Sequence, residues 1–341
     1  MRVLATIGFS FSAGVFLAAL LPWNGWQLYA AGGVLLLALA WLFAARKQKC
    51  FRRGLLLLLP LAVSLAYFAG YDHLVRQPIE DRCGAASDFA ATVCDWPQAT
   101  ERGAKITVEL EGYHRARAVL YGEAELLAAR PGDTVTGTAQ WQSAAHFDSD
   151  DVTHFNARGV YALLYGREDV RLSAGDGDAL RWLPQRAGKA FREKVAAIWD
   201  DPRVSGFLTA ELTGDKSAMD DGDYLAMQET GLAHLFAVSG LHCAFLVTLL
   251  ALLISRRQRL LCAVTIPLLL FYMVMVGMSP SVVRACIMQI FLLIAPLFRR
   301  GSDPLTSLAA ALLVILLCNP FAAASVSLQL SFSATLGMVL L

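Results

Sequence analysis

The chain has 341 residues, 56% of them hydrophobic and 17% charged, with a mean hydropathy of +0.51. A soluble domain carries about 25% charged residues, so an ordinary water-soluble enzyme is excluded and a membrane protein is expected. The net charge of +1 hides an asymmetry: residues 72–183 hold 11 Lys/Arg against 18 Asp/Glu, a net −7, so an acidic domain sits between basic-flanked apolar segments.

Residues 3–21 form an apolar run behind Arg2. A signal peptide has a similar look, but two more apolar segments follow at once and no small-x-small cleavage site closes the first, so it reads as a span. Residues 26–45 are the second span, with Trp23, Trp26 and Tyr29 as an interfacial belt. Residues 54–71 are the third, and Pro60 is tolerable in a membrane helix. Arg46, Lys47, Lys49, Arg52 and Arg53 lie between spans two and three, whereas loop 21–27 has no charge. The positive-inside rule puts the basic loop, and with it the N-terminus, in the cytoplasm, and residues 72–230 outside.

Residues 72–183 read as β structure. Ile106, Val108 and Leu110 alternate along 104–112, 115–121 follows, and Pro131-Gly132-Asp133 turns into 134–141. Residues 159–165 form another strand, with weaker ones at 89–94 and 169–172. Short strands with turns between them point to a small barrel such as an OB-fold. Trp96, Tyr113, Tyr121 and Trp141 are candidates to stack on bases beside Arg115 and Arg117, but the −7 charge opposes generic nucleic-acid affinity. A structural or partner-docking insert fits equally. Of the seven cysteines (Cys50, Cys83, Cys94, Cys243, Cys262, Cys286, Cys318), none shows CxxC spacing, so no metal site is indicated and no cofactor is expected. Cys83 and Cys94 alone lie in the insert, as a disulfide or as two thiols.

Residues 184–199 look amphipathic, with Phe191, Val195, Ile198 and Trp199 opposite Arg186, Lys189, Arg192 and Lys194. Such a helix suits a membrane surface or the flank of the barrel. Residues 202–213 repeat the pattern until Gly214, and Ser217-Ala-Met-Asp220 resembles a capping box for a third short helix. Spans return at 232–254, 260–277, 282–298, 304–318 and 323–341. Their basic clusters fall at the predicted cytoplasmic ends, and the Ser-Pro-Ser and Asn-Pro turns fall outside. The run is apolar to its last residue, so a fragment of a longer protein is expected. The expected domains are 1–71 (three spans), 72–183 (the barrel), 184–230 (interfacial helices) and 231–341 (the start of a channel domain). The fold class is a polytopic α-helical membrane protein with an inserted extracytoplasmic small β-barrel, OB-fold-like.

Polar groups inside a membrane face a protein interior or a water-filled path, which singles out His234, Ser239, Gly240 and His242. Ser239 and His242 share a helix face, with His234 broadly on the same side. They fit a polar lining that contacts phosphates or bases, or a Ser–His nucleophile pair, or interhelical bonds with Gly240 and Ser239 allowing close packing. Two histidines lack enough ligands for a metal. Arg284, one turn past Pro280, is a snorkelling residue or a phosphate contact at a pore mouth. Glu211, Asp215, Lys216 and Glu229 line the approach from outside. Gln329 is a lone intramembrane amide that suits an interhelical hydrogen bond.

This pattern resembles the ComEC family, inner-membrane channels that admit single-stranded DNA during natural transformation. The matching residues are Leu212-Thr-Gly-Asp-Lys216, Gly231-Leu-Ala-His-Leu-Phe-Ala-Val-Ser-Gly-Leu-His242, Ser279-Pro-Ser-Val-Val-Arg-Ala285, Asn319-Pro320 and Ser327-Leu-Gln-Leu-Ser-Phe332. Phe155-Asn-Ala-Arg-Gly-Val160 and Gly132-Asp133 match that family's outer domain. The resemblance implies transport of single-stranded DNA across the cytoplasmic membrane. Its path would include His234, Ser239, Gly240, His242, Arg284, Glu229 and Gln329. The implied partners are DNA, the lipid bilayer, a DNA receptor outside, a cytoplasmic DNA-motor protein and further copies of the chain. Family members often end in a metallo-β-lactamase-like domain. The six histidines here contain no HxHxDH cluster, so no nuclease activity is expected. Two rival functions are an intramembrane hydrolase using Ser239 and His242, and a scaffold whose outer domain docks a DNA receptor.

Overall fold

The computed structural model describes the chain except residues 1–2, 21–25, 45–50, 102, 114–115, 146–153, 168, 178, 216–218, 233–239, 255–256 and 299–302. In chain order the helices and strands begin with α1 (Val3–Leu20), α2 (Trp26–Ala44) and α3 (Phe51–Tyr71). A π turn, Asp72–Arg76, leads into α4 (Gln77–Glu80). The strands follow: β1 (Ala86–Val93), β2 (Gln98–Thr100), β3 (Gly103–Leu110), β4 (Arg117–Gly122), β5 (Thr134–Ser143), then α5 (His154–Ala157), β6 (Val160–Gly166) and β7 (Arg171–Ser173). The remaining helices are α6 (Leu183–Ile198), α7 (Pro202–Thr213), α8 (Asp221–Glu229), α9 (Gly240–Ile254), α10 (Gln258–Met275), α11 (Pro280–Ile294), α12 (Pro304–Cys318) and α13 (Val326–Leu340). Among the described residues, Val3–Leu20, Gly54–Glu80, Gln258–Met275 and Ser281–Phe298 are long and apolar enough to cross a membrane. Tyr29–Ala38, Gly240–Ile254, Pro304–Cys318 and Val326–Leu340 are shorter apolar helices.

The chain divides into two compact units, Met1–Gly177 with Leu305–Leu341, and Asp178–Pro304. In the first, small residues let apolar helices approach, since lipid gives no hydrophobic drive between them. A Cβ added to Gly14 would lie 1.9 Å from Ser64 Oγ on α3, and one added to Gly8 would lie 2.8 Å from the Ala309 carbonyl oxygen on α12. Ser10 donates to the Leu57 carbonyl across α1 and α3.

The barrel follows from alternation. Every second residue of β3 is buried, placing Ile106, Val108 and Leu110 inside. The strand order is β1-β3-β4-β6-β5, and β5 pairs back to β1, closing five strands, with β4–β6 the parallel pair. The closed five-strand barrel is OB-like, as its strand pattern foretold. At Gly137 the β5 backbone takes φ 156° and Val170 Cα would lie 2.8 Å from a Cβ, so only glycine fits this crossing. Short β2 escaped notice because a three-residue strand leaves no periodicity to read.

One expectation for the insert is corrected, and the alternative left open for its two cysteines is decided. Trp141 is 1% exposed and donates its indole N–H to the Ser87 carbonyl at 3.3 Å, so it is a core residue and no open stacking surface. Cys83 and Cys94 are thiols and not a disulfide. They sit beyond opposite ends of β1, and an eight-residue strand spans about 25 Å, far more than a disulfide bridges. Cys83 bonds the Ile79 carbonyl at 3.4 Å and Cys94 the Thr92 carbonyl at 3.6 Å.

The barrel is fastened to its spans by the turn after α12. Asn319 Nδ2 donates to the carbonyls of Asn156 (2.8 Å) and Ala157 (3.1 Å), while its Oδ1 accepts the Phe321 N–H at 3.0 Å. Phe321, fully buried, meets Phe68, Tyr71 and Tyr161 at ring separations of 5.4, 6.0 and 5.9 Å. Burial drives the Tyr161 phenol far above its ordinary value, helped by the neighbouring Tyr71. The barrel and the Asn-Pro turn therefore share one side of these spans.

In the second unit, α6 packs on α10 through Gly188, where a Cβ would lie 3.1 Å from the Met275 carbonyl oxygen. Val195 is buried, while Phe191, Ile198 and Trp199 on the same apolar stripe are exposed.

Candidate membrane path

The path residues of the second unit are set by how α7, α9, α10 and α11 begin and end. Asp201 caps α7 by accepting the Arg203 N–H at 2.9 Å, and Gly214, at φ 74°, ends it in a left-handed turn. Asp220 caps α8 by accepting the Asp223 N–H at 3.3 Å. Ser217, the expected cap, lies outside the described residues. Arg192 on α6 reaches Asp215 at 3.4 Å, tying α6 to the end of α7.

His242 stands in the first turn of α9. Its Nε2 lies 3.9 Å from Glu211 Oε1 on α7, with both side chains partly exposed. At that separation the two attract as charges when the imidazole is protonated and do not form a full hydrogen bond. Gly240 opens α9, and a Cβ there would touch Ala285 Cβ of α11 at 3.7 Å, an ordinary contact that leaves room for nothing much larger. One turn on, the buried Cys243 and Cys286 sulfurs are 3.5 Å apart. They join a core of Leu261, Cys262, Leu269, Val282, Ala285 and Leu293.

Arg284 lies between Val283 and the Ala285–Cys286 contact on α11, half-buried with its Nε enclosed. Gly277 and Met278 both take positive φ in the turn before it, and the Met278 N–H returns to the Met273 carbonyl at 3.0 Å, capping α10. Pro280 then starts α11 at its first position, where a missing N–H costs nothing.

The expected residues thus divide. Gly240, His242 and Arg284 gather where α9 meets α11, and Glu229 is exposed at the end of α8. His234 and Ser239 lie outside the described residues, as does Lys216. Gln329 belongs to the first unit. Its Nε2 donates to the Ala323 carbonyl at 2.9 Å, a bond within its own turn and not between helices. Glu211 as the partner of His242 was invisible in sequence, because 31 positions separate them and only the return of the chain through α8 brings them together. An open cavity of about 590 Å³ in this unit lies elsewhere, lined by Arg257, Gln258, Arg259, Leu260, Pro296 and Leu297.

Residues 212–341, holding α8 to α13 and the whole α9–α11 contact, match the family model described as Competence protein. Over 142 residues, 41% of the chain, the sequence is 32% identical to ComE operon protein 3 of Bacillus subtilis (strain 168). That match covers 18% of the relative's own length. No solved structure matches. Through its residues 212–341, the chain is thus similar to competence proteins.

Proposed function

We propose that this chain contributes part of the path by which single-stranded DNA crosses the cytoplasmic membrane during natural transformation. The observation that supports this most is the polar group formed by His242 with Glu211, beside Arg284, at the contact of two apolar helices. Such groups are costly in lipid and are kept where they touch a solute or a water-filled path. A guanidinium is suited to phosphate oxygens. A histidine beside a carboxylate would bind phosphate only weakly, which a path requires if the strand is to leave as well as enter. His234, Ser239, Gly240, Glu229 and Gln329 are assigned to the same path by the family resemblance. A receptor outside, a motor inside and further copies of the chain are the partners this role calls for, with the barrel on the outer side.

The test is transformation by cells carrying His242→Ala and Arg284→Ala in the full-length gene. Losing one charge-assisted phosphate contact of about 1.5–3 kcal/mol predicts a drop of roughly 10- to 100-fold. Unchanged transformation in both variants, with protein levels intact and a deletion inactive, would sink the path assignment.

A second reading, an intramembrane hydrolase, gains one observation: Glu211 supplies a carboxylate near His242. At 3.9 Å it lies beyond the 2.6–3.2 Å reach of a triad bond. Labelling by a serine-reactive probe that disappears in Ser239→Ala would favour the hydrolase over the path.

A further inference from the structure

The open cavity of about 590 Å³ lies between the start of α10 and the 3-10 turn, Ala295–Phe298, that ends α11. Pro296 has no N–H to give to a carbonyl four residues back, which accounts for the change from α to 3-10 geometry there. Gln258 pins the two helix ends together. Its Nε2 donates to the Leu293 carbonyl at 2.8 Å, and the Cys262 thiol donates to the same oxygen at 3.2 Å. Arg257, Arg259, Leu260, Pro296 and Leu297 complete the lining, so among the described residues no carboxylate faces the cavity.

Charge and hydropathy at this end are both one-sided. From residue 230 to residue 341 the sequence has one acidic residue, Asp303, whereas Arg256, Arg257, Arg259, Arg299 and Arg300 all fall beside these two helix ends. Arg257 and Arg259 are exposed, and among the described residues no ion pair holds either guanidinium. Arg257 occupies the N-cap of α10 without a side-chain capping bond, so the positive end of the helix dipole adds to the two cations. Leu260, Leu297 and Phe298 are exposed next to them, on helices apolar enough to cross a membrane. Cations at the mouth and bare aliphatic groups at the rim suit a ligand with an anionic head and a hydrocarbon tail.

We propose that this cavity binds the phosphodiester headgroup of an anionic phospholipid, with Arg257 and Arg259 on phosphate oxygens and the acyl chains running along Leu260 and Leu297. Guanidinium forks match phosphate oxygens in pairs, and basic pockets between membrane helices hold acidic lipid headgroups. The volume falls within the range of about 300–1,000 Å³ for sites that hold small molecules. A free phosphate or a nucleotide would use the arginines but leave the leucines facing water. A zwitterionic lipid would bring its own cation against the two arginines. The site goes beyond the DNA path: a lipid held here clamps the start of α10 to the end of α11 and makes their packing depend on membrane composition.

Native mass spectrometry of the full chain released from a neutral detergent, with phosphatidylglycerol or phosphatidylcholine added, tests it. One phosphatidylglycerol molecule is expected to be retained in preference to phosphatidylcholine. Arg257→Ala/Arg259→Ala weakens that retention roughly 10- to 100-fold, the scale of a lost charge-assisted contact. Arg257→Lys/Arg259→Lys, which keeps the charge and loses the fork, falls between, and it carries the comparison where the alanine variant melts below the wild type. Arg46→Ala/Lys47→Ala, in the basic loop after α2, leaves retention unchanged. Equal retention of the two lipids overturns the proposal, as does undiminished retention by the arginine variants or an equal loss in the Arg46→Ala/Lys47→Ala variant. Displacement of the lipid by glycerol phosphate or by oligothymidylate at equal concentration also overturns it, and makes the cavity a free-phosphate or nucleic-acid site.

Discussion

A thiol becomes reactive only as its thiolate, so the surroundings of Cys83 fix its chemistry. Burial pushes that thiol up from its ordinary 9.0 to about 11, and the adjacent Glu80 carboxylate adds to the rise. At pH 8 about one molecule in a thousand carries the thiolate. Iodoacetamide is expected to label Cys83 far more slowly than an exposed thiol at pH 8, and faster by about tenfold for each unit of pH up to 11; mass spectrometry after timed quenching reads both. Because the folded state favours the protonated form, its stabilising share is complete below pH 9 and is lost as pH rises through 11. Residues of this kind were only partly legible in the sequence. Side-chain type nominated Arg284 and His242, but the partner Glu211 comes from a remote helix. Trp141 was read as a surface residue because an alternating strand does not announce which face its aromatic takes until the barrel closes.

Elements are held by contacts that single substitutions reach. Asn319→Ala removes two hydrogen bonds to the α5 segment and one cap on the Phe321 N–H. At about 0.5–1.5 kcal/mol for each bond, a loss of roughly 2–4 kcal/mol is expected, seen as a lower midpoint of thermal unfolding in detergent. Asn319→Asp, which keeps the cap oxygen and loses the donors, is expected to fall between. Gly14→Leu forces a side chain into the space of Ser64 Oγ, and overpacking of this kind costs about 1–3 kcal/mol. Most of these elements were readable, since long apolar runs and period-two alternation are local signals. The neighbour of α6 was not, because the close approach of Gly188 to the Met275 carbonyl of α10 leaves no periodic signal in the helix itself.

At the scale of the molecule, the loop charges predict an orientation. Single cysteines placed at Asp200 and at Arg257, in a chain otherwise freed of thiols, report it: a membrane-impermeant maleimide added to intact cells is expected to label the first and not the second. The reverse pattern would place the barrel in the cytoplasm. The spans were legible from hydropathy. Which spans join which unit was not, because helix partners in lipid are chosen by small residues such as Gly8 and Ala309, whose positions carry no periodic signal.

The contact of Gly8 with Ala309 also sets a timetable. Chains emerge at about 5–20 residues per second, so the first helix enters the membrane roughly 15–60 seconds before its partner is made. Over the same interval the barrel can close its strands, yet the asparagine that fastens it has not been translated. Biogenesis must therefore hold a small-residue face of the first helix in lipid or against an insertion factor, making that waiting period the point at which early quality control can act.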